Sequence, residues 1–341
     1  MTSKRVLVTG GAGYIGSVLT ETLLDRGYQV RVLDRFFFGA TLDHLRHRSD
    51  LELVKGDVRW VDPAIMEGVD AVFDLAAISN DPAGELDPEK TMAINHQGRA
   101  RICDMAKSAG VRNYVLASSC SIYGFQDGVM DETSPPNPLT TYAEANLAAE
   151  NHCLAKSAEE FVVTVLRQAT VYGLSPRMRF DLAVNGMTLG MFANGVIPVL
   201  RDGTQWRPIV HIKDTSQAFI TALEADIGSV NGEIFNVGTD EQNFQVLDLA
   251  EQVAEGIGAP FDYEWYGEPD HRSYRVSFGK IKDQLGYKTE YTPTIAAQEI
   301  VKALRDGLVV TGPRTKTVDW YRSLLLWNDI LKEVVIDDVV L

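Results

Sequence analysis

Six short apolar runs along the first half of the chain are the strongest pattern in the sequence. They are predicted to be strands: Arg5–Thr9, Gln29–Asp34, Leu51–Lys55, Ala71–Leu75, Asn113–Ala117 and Val162–Leu166. Helical periodicity predicts helices between them, at Ser17–Arg26 and around Thr91–Ala109 and Tyr142–Ser157. This alternation predicts an α/β fold with a doubly wound parallel sheet, which binds ligands at the carboxyl ends of its strands.

The pattern changes near Ser175, where segments become shorter and Gly, Pro, Arg and aromatic residues more frequent. We expect a smaller α+β lobe there, with the stretch at about 207–238 returning to the sheet. The predicted division is therefore 1–174 plus about 207–238, then 175–206 with 239–312, then a tail at 313–341. Within the tail, Asp319–Val340 has a helical and then a β-branched pattern, which predicts a docking element or a dimer contact.

Composition narrows the classes of partner. Of the 341 residues, 45% are hydrophobic and 23% are charged, as in an ordinary globular protein with a sizeable core. The formal net charge of −15 repels nucleic acid and anionic lipid, so neither is an expected partner. A phosphate-bearing ligand must then be bound by local arginines and main-chain N–H groups.

Cysteine and histidine usage points to a reducing compartment without a metal site. Cys103, Cys120 and Cys153 are too widely spaced for a disulfide framework or a metal-binding pair. The histidines lack metal-ligand spacing, so we expect no metal. With neither a signal-peptide pattern nor 18 consecutive apolar residues in the sequence, we expect a cytoplasmic protein.

A glycine-rich turn, TGGAGYIG at 9–16, joins the first predicted strand to the first helix. Its glycines allow a tight turn, close approach to a pyrophosphate and close helix–strand packing. Asp34 ends the second strand, where a carboxylate binds ribose hydroxyls and repels a 2′-phosphate, so we expect NAD. The adjacent Arg35 keeps NADP as an alternative. The predicted cofactor contacts are Gly10, Gly13, Tyr14, Ile15, Gly16, Asp34, Arg35, Asp57, Val58, Leu75, Ala76 and Ala77.

Seven motifs then occur in a characteristic order. They are TGGAGYIG, Gly56-Asp57-Val58, Asp74-Leu75-Ala76-Ala77, Asn95 in INHQG, SSCSIYG at 118–124, Tyr142 in TYAEAN, and Arg167 followed by VYG at 171–173. With them the chain, to about Leu308, resembles the extended short-chain dehydrogenase/reductase family, which includes UDP-glucose 4-epimerases and nucleotide-sugar 4,6-dehydratases. The resemblance implies a Rossmann-type sheet, an NAD cofactor that Asn95 also contacts, and a nucleotide-diphosphate sugar as substrate.

The resemblance assigns catalysis to Ser119 and Tyr142, which bind the sugar hydroxyl that is oxidised. The tyrosine accepts the proton as phenolate, and in the family a lysine one turn later assists it and binds the nicotinamide ribose. Here that position is Asn146, whose amide can bind the ribose but carries no charge. Three explanations stay open: a substitution that disables the enzyme, a natural variant with another base, or a non-catalytic relative. If only the charge is missing, Asn146→Lys should raise hydride transfer.

The residues after Ser119 bear on the reaction type. Family 4,6-dehydratases carry an acid–base pair there, and this chain has Cys120 and Ser121 instead, so 4,6-dehydration is not favoured. Cys120 is a candidate acid or base for C3 or C5 epimerisation, although a small buried cysteine beside a strand usually only packs.

Substrate contacts are implied by further matches to the family. Arg207 lies in WRPIVH, which resembles the stretch that binds the substrate diphosphate, and DHRSYRVSFGK at 270–280 is similar to the segment that closes over the nucleotide. The expected substrate contacts are Ser121, Thr170, Arg179, Asn185, Arg207, Asp270 and Arg272.

Two functions follow from these residues. The first is an NAD-dependent nucleotide-sugar epimerase or dehydrogenase that removes hydride from C4, and the second is a sensor that binds NAD(H) without turnover. The family also implies a homodimer, formed by the helices around 91–109 and 142–157. Apolar residues on more than one helix face agree with this: Met92, Ile94, Ile102, Met105, Leu147, Ala148, Cys153 and Leu154.

Overall fold

A parallel sheet of seven strands forms the centre of the computed structural model, which describes residues 4–268, 273–336 and 339. The strands along the chain are β1 (Arg5–Thr9), β2 (Gln29–Asp34), β3 (Leu51–Lys55), β4 (Ala71–Asp74), β5 (Asn113–Ser119), β6 (Val129–Met130), β7 (Val162–Gln168), β8 (Thr170–Tyr172), β9 (Ile197–Leu200), β10 (Trp206–His211), β11 (Glu233–Val237), β12 (Asn243–Gln245), β13 (Tyr263–Tyr266) and β14 (Arg275–Val276). The order in the large sheet is β3-β2-β1-β4-β5-β7-β11.

The helices are α1 (Tyr14–Asp25), α2 (Asp81–Gly84), α3 (Pro88–Met92), α4 (Arg99–Ser108), α5 (Thr141–Leu154), α6 (Ala183–Asn194), α7 (Ile212–Glu224), α8 (Ile227–Val230), α9 (Val246–Ile257), α10 (Gly279–Leu285), α11 (Pro293–Arg305) and α12 (Thr317–Val334). A π-helical segment, Ala93–Gly98, joins α3 to α4.

Alternate residues of each central strand pack against different helices, because side chains on a strand point to opposite faces in turn. On one face, Val6, Val8 and Phe73 belong to a core that includes residues of α1 and α7. On the other face, Leu7 and Val72 belong to a core that includes residues of α4 and α5. Helices on both faces bury the sheet, as the near-continuous apolar runs of its strands require.

The predicted α/β fold with a doubly wound parallel sheet is confirmed, and β1, β2 and β3 have the predicted bounds. The first helix begins at Tyr14, three residues earlier than expected, because Gly13 already has the extended backbone of an N-cap. The stretch at about 207–238, which we expected to return to the sheet, does so through its last strand. Glu233–Val237 pairs with β7 there, whereas Trp206–His211 pairs with β8 and β12 in a separate small sheet.

The second half of the chain builds a smaller packed unit beside the carboxyl ends of the large sheet. Its core joins α6, α9 and α11 to β9, and β9 pairs with β13. The tail helix α12 is attached through Trp320, which is buried and donates from its indole nitrogen to the Phe37 carbonyl at 2.8 Å. The three-part domain division stays a prediction.

Two residues of the predicted dimer faces belong to the protomer interior. Ile102 and Cys153 are fully buried in the core between α4, α5 and the sheet, so neither is available to a dimer contact. All three cysteines are buried free thiols. Within the described ranges, every helix is too short or too polar to cross a bilayer, and no three His, Cys, Asp or Glu side chains are grouped so as to bind a metal.

Candidate active site

A large cleft lies at the carboxyl ends of the central strands, between the sheet and the smaller unit. Its volume is about 1470 Å³, more than the roughly 300–1,000 Å³ of an ordinary small-molecule site. The strand order reverses between β1 and β4, and the ends of both strands line the cleft. Ligands of doubly wound sheets bind at such a switch point, and this cleft has room for two of them.

The glycine turn after β1 forms one wall of the cleft, where Gly10, Gly13, Tyr14, Ile15 and Gly16 lie. Gly10 has a φ of +69°, and a Cβ there would lie 3.0 Å from the main chain of Ala76. A Cβ on Gly16 would lie 2.2 Å from the Gly10 carbonyl oxygen. Side chains at these positions would collide with the main chain, so the glycines keep the turn tight against the N-terminus of α1, where a pyrophosphate binds in dinucleotide sites.

Asp34 lies at the end of β2 beside this turn. Its carboxylate accepts hydrogen bonds from the main-chain N–H of Ala12 at 3.0 Å and of Phe36 at 2.7 Å. These bonds hold the carboxylate at the rim of the cleft, although burial raises its pKa. Arg35 also lines the cleft and donates to Asp57 at 2.9 Å. A carboxylate at the strand end, with the adjacent arginine bound to Asp57, fits an unphosphorylated ribose.

Asp57 is held by two arginines. Burial raises its pKa, but hydrogen bonds from Arg59 and Arg35 outweigh burial and lower the pKa to about 2. Asp57 and Val58 line the cleft as expected, and so do Leu75, Ala76 and Ala77 after β4.

Asn95 does not line the cleft, which corrects its expected contact with the cofactor. Its buried amide accepts from the main-chain N–H of Ile78 at 2.8 Å and donates to the Ile78 carbonyl at 2.9 Å. Asn95 therefore shapes the loop after β4, and it is Ile78 and Ser79 that face the cleft.

Another arginine, Arg177, reaches the cofactor end of the cleft. Its guanidinium stacks on Phe38 at 3.6 Å and donates to the Thr317 hydroxyl at 2.9 Å. The side chain is buried, and two of its nitrogens, Nε and Nη1, have no acceptor among the described residues. Burial, together with the charge of Arg179, lowers the pKa of Arg177 to about 9. An anion such as a pyrophosphate provides the missing acceptors, so this residue also fits a dinucleotide.

Ser119 and Tyr142 meet further along the cleft, at the end of β5 and the start of α5. The Ser119 oxygen accepts from the Ser121 main-chain N–H at 3.1 Å. Burial and the charge of Asp81 raise the pKa of Tyr142 above its ordinary value, and hydrogen bonds with Asn146 and Ser119 and the charge of Arg99 oppose this rise. The predicted catalytic pair is thus brought together beside the glycine turn.

Asn146 is buried below Tyr142, and its amide is fully engaged. Its nitrogen donates to the Tyr142 carbonyl at 3.0 Å, and its oxygen accepts from Nη1 of Arg99 at 2.9 Å. Both Asn146 and Arg99 line the cleft. Arg99 was not among the residues predicted from the sequence. The sequence carries a signal for it, because an arginine stands at a core position of the helical pattern. The buried face of α4 has the helical spacing Arg99, Ile102, Cys103 and Ala106.

Cys120 is placed outside the cleft, which corrects its candidacy as an acid or base. The thiol is fully buried and donates to the Arg167 carbonyl at 3.3 Å. Burial raises the pKa of this thiol far above its ordinary value. A buried neutral thiol that does not face the cleft packs the strand end and exchanges no proton with a ligand there.

Four of the expected substrate contacts, Ser121, Thr170, Arg179 and Arg207, line the cleft. Arg179 is held by Asp181 at 2.7 Å and by the Ser79 hydroxyl at 3.1 Å. Asn185 does not line the cleft, which corrects its expected contact with the substrate. Its side chain is buried behind the cleft wall, and its nitrogen donates to the Tyr14 hydroxyl at 3.0 Å. Asp270 and Arg272 lie outside the described residues.

The tail also contributes to the cleft, which the sequence did not indicate. Tyr321 of α12 lines it beside Phe38, with ring centroids 5.7 Å apart. Since α12 is separated from β2 by most of the chain, only folding brings these rings together.

Similarity to known proteins agrees with this site. A UDP-glucuronic acid decarboxylase of Arabidopsis thaliana is 30% identical over 325 residues, which cover 89% of this chain and 71% of that protein. A dTDP-glucose 4,6-dehydratase of Streptomyces niveus is 29% identical over 346 residues, 96% of each chain. The structure of UDP-glucose 4-epimerase from Thermotoga maritima with UDP-glucose matches with a TM-score of 0.78 at 26% identity, over 89% of this chain and 100% of that one.

The chain also matches a sequence model that represents a whole protein family. The sequence model of the NAD-dependent epimerase/dehydratase family matches residues 6–238, more than half of the chain. This range includes the glycine turn, Asp34, Ser119 and Tyr142. The chain therefore belongs to the NAD-dependent epimerase/dehydratase family, within the nucleotide-sugar group of the extended short-chain dehydrogenases/reductases, and its cofactor is NAD.

Proposed function

We propose that the chain oxidises C4 of the sugar in a nucleotide-diphosphate sugar and returns the hydride to either face, or releases the 4-keto product. The observation that carries this proposal is the meeting of Ser119 and Tyr142 in the same cleft as the glycine turn. A serine and a tyrosine that share a hydrogen bond can bind one secondary hydroxyl between them.

The chemistry divides between the protein and NAD. Bound NAD supplies the hydride acceptor. Tyr142, as phenolate, takes the proton from the C4 hydroxyl while the C4–H bond breaks with its electron pair, so that C4 becomes a carbonyl. Ser119 donates to the same oxygen and orients it. In the return step Tyr142 gives the proton back as hydride re-enters at C4.

We assign the cofactor end of the cleft to the residues that fit a dinucleotide. The glycine turn and Arg177 hold the pyrophosphate, and Asp34 holds the adenosine ribose. Val58, Leu75, Ala76 and Ala77 provide the apolar and main-chain surface along the rest of the cofactor.

The other end is assigned to the substrate. Arg207 and Arg179 provide positive charge for a diphosphate in a protein of net charge −15. Ser121 and Thr170 face the cleft near Ser119 and are assigned to the sugar. Relatives and structural neighbours named for UDP- and dTDP-sugars support this substrate class.

Water elimination across C5 and C6 is disfavoured by the same geometry. Cys120 is buried away from the cleft, and Ser121 carries no charge. Since the end of β5 provides no acid–base pair, the proposed chemistry stays at C4.

The test is turnover of a panel of UDP-glucose, UDP-glucuronic acid and dTDP-glucose, each with deuterium at C4, by the protein supplied with NAD. We expect a C4 epimer or 4-keto product from at least one of them, with a primary isotope effect, detected by mass spectrometry and NMR. Tyr142→Phe should lower the rate about 10²–10⁴-fold, and Glu144→Gln, exposed on the same helix, should not. Binding of NAD and of the sugar nucleotides without any turnover would favour the sensor function.

We also propose that the protein is a cytoplasmic homodimer paired through α4 and α5. Three free buried thiols agree with a reducing compartment. The candidate interface consists of the remaining apolar residues, Met92, Ile94, Met105, Leu147, Ala148 and Leu154. Light scattering at micromolar concentration should give twice the chain mass of 37.7 kDa, and a monomer would contradict the dimer. Cell fractionation tests the compartment.

A further inference from the structure

Arg99 is a buried cation directly below the proposed catalytic tyrosine. Its side chain is 1% exposed, although it lines the floor of the cleft. The guanidinium donates to Asn146 Oδ1 at 2.9 Å, to the Asp74 carbonyl at 3.1 Å and, by a short bond, to the Ala117 carbonyl. It therefore connects the ends of β4 and β5 to α5, the helix that carries Tyr142.

Arg99 is paired with the buried Asp74 carboxylate. Its Nε lies 3.5 Å from the Asp74 carboxylate, outside good hydrogen-bond geometry. That carboxylate also accepts hydrogen bonds from the hydroxyls of Thr9 and Tyr114. The Asp74 carboxylate lies on the Nε side of the guanidinium, whereas Nη1 contacts Asn146 of α5, so the cation reaches the helix that carries Tyr142.

We propose that Arg99 is a positioning residue that supplies, through Asn146, the positive charge which the lysine at position 146 supplies in the family. This inference rests on the proposed hydride transfer by Tyr142. Asn146 accepts from the cation at Oδ1 and donates from Nδ2 to the main-chain carbonyl of Tyr142, so it holds the guanidinium against the turn of α5 that begins at the tyrosine. An arginine suits this task because it keeps its proton when buried.

Several other groups around Tyr142 also influence its pKa. Asp81 of α2 raises the pKa of Tyr142, while Arg99 of α4, Ser119 of β5 and Asn146 of α5 lower it, and burial is the largest influence upward. Asp81 itself is bound by the Thr140 hydroxyl at 2.6 Å. Of these groups, Arg99 is the cation, so its removal should leave the phenolate without electrostatic support.

The position of Arg99 reverses the expectation drawn from the sequence for Asn146→Lys. A lysine there would place a second cation against a buried guanidinium. It would either lose its proton or displace Arg99, because a like charge and burial both disfavour the charged amine. We therefore expect N146K alone to destabilise the protein without raising the rate.

The experiment compares four proteins: R99Q, N146K, the double variant R99Q/N146K, and R101Q as the control. Arg101 lies on the same helix but does not line the cleft, and it donates to the main-chain carbonyls of Val61 at 2.7 Å and, more weakly, of Val58 at 3.4 Å. Titration of Tyr142 is followed by tyrosinate absorbance as the difference between each protein and its Y142F counterpart, with NAD bound. The pH profile of hydride transfer on UDP-glucose, UDP-glucuronic acid and dTDP-glucose is recorded in parallel, and melting temperature reports folding.

R99Q should raise the pKa of Tyr142 by about one unit or more and lower the rate near neutral pH about tenfold per unit, while R101Q matches the wild type. The double variant should recover both the pKa of Tyr142 and the rate, because its lysine at position 146 restores one cation beneath the tyrosine. A merely structural Arg99 predicts instead that the double variant is as impaired as R99Q.

The inference is overturned if R99Q titrates like the wild type, or if N146K alone raises the rate as far as the double variant does. If R99Q is too unstable to assay, the double variant and N146K decide between the two readings. Because tyrosinate absorbance needs no turnover, it tests Arg99 even where no sugar nucleotide reacts, which is the outcome that would contradict the proposed function.

Discussion

Arg167 and Glu150 form a buried ion pair, with Nη2 of Arg167 2.8 Å from Oε2 of Glu150. Glu150 belongs to α5, which carries Tyr142, and Arg167 belongs to β7, next to the strand that ends at Ser119. The Ser118 hydroxyl also donates to Glu150 by a short bond. The pair therefore couples the two elements that supply the proposed catalytic residues.

Glu150→Gln should destabilise the fold by about 3–5 kcal/mol, because it leaves the Arg167 charge buried and unpaired. Urea unfolding followed by circular dichroism measures the change. Glu144→Gln, on the exposed side of the same helix, should alter the free energy of unfolding by less than about 1 kcal/mol. Equal effects of the two variants would show that the ion pair does not stabilise the fold.

Asp34→Asn should weaken NAD binding by about 1–3 kcal/mol and reduce discrimination against NADP, because the charge that repels a 2′-phosphate is lost. Calorimetric titration with both cofactors measures these affinities. The control is Asp43→Asn, an exposed carboxylate paired with Arg46 at 2.6 Å. Tighter binding of NADP than of NAD by the wild type would contradict the role of Asp34.

Arg177→Met should weaken NAD binding by about 1.5–3 kcal/mol, the value of hydrogen bonds to a charged group. Thr317→Val keeps Arg177 but removes the bond that orients it, together with a long bond to Asp181 at 3.4 Å, so its effect should be smaller and of the same sign. Calorimetry at low and high salt tests both variants, and Arg46→Gln is the exposed control. An unchanged NAD affinity in the methionine variant would place the pyrophosphate elsewhere.

Cys120→Ala should leave the rate of sugar oxidation unchanged, because the thiol is buried and does not face the cleft. The only expected cost is about 1 kcal/mol of stability from lost packing. Rates of the alanine variant and of Tyr142→Phe are compared on the same substrate. A loss in the alanine variant as large as that in the phenylalanine variant would return Cys120 to the chemistry.

His211 should make the protein sensitive to mild acid. Burial, with the charge of Lys213, lowers the pKa of His211 to about 3, although Glu299 lies 3.7 Å away. The folded state therefore stays neutral while the unfolded histidine protonates below its ordinary pKa of about 6.5. The stability contributed by neutral His211 is complete above that pH and falls by about 1.4 kcal/mol per pH unit below it, until about pH 3.

His211→Asn should remove this dependence of stability on pH. In the wild type, His211 Nδ1 accepts a hydrogen bond from the main-chain N–H of Lys213 at 3.3 Å, and the asparagine oxygen can still accept it. Urea unfolding is measured at pH 7.5, 6 and 5. Between pH 7.5 and pH 5, the free energy of unfolding of the wild type should fall by about 2 kcal/mol more than that of the variant. His47→Asn, at an exposed position, is the control. Parallel pH profiles of the wild type and the asparagine variant would contradict the prediction.

The sequence by itself determined the central sheet and the nucleotide end of the site. Arg5–Thr9, the glycine turn and Asp34 are consecutive along the chain, and their hydrophobic pattern and backbone requirements are local. The motifs at Ser119 and Tyr142 likewise indicated the proposed catalytic pair, because each marks the end of a strand or the start of a helix.

Only the tertiary structure decided which side chains face the cleft. Asn95, Cys120 and Asn185 lie in motifs near the site, yet they face main chain or core, because each lies in a helical segment, where neighbouring side chains point to different sides. The sequence likewise identified the missing charge at Asn146 but not its replacement. Arg99 precedes Asn146 by 47 residues, and only the packing of α4 and α5 against the sheet brings its guanidinium to the amide beneath Tyr142.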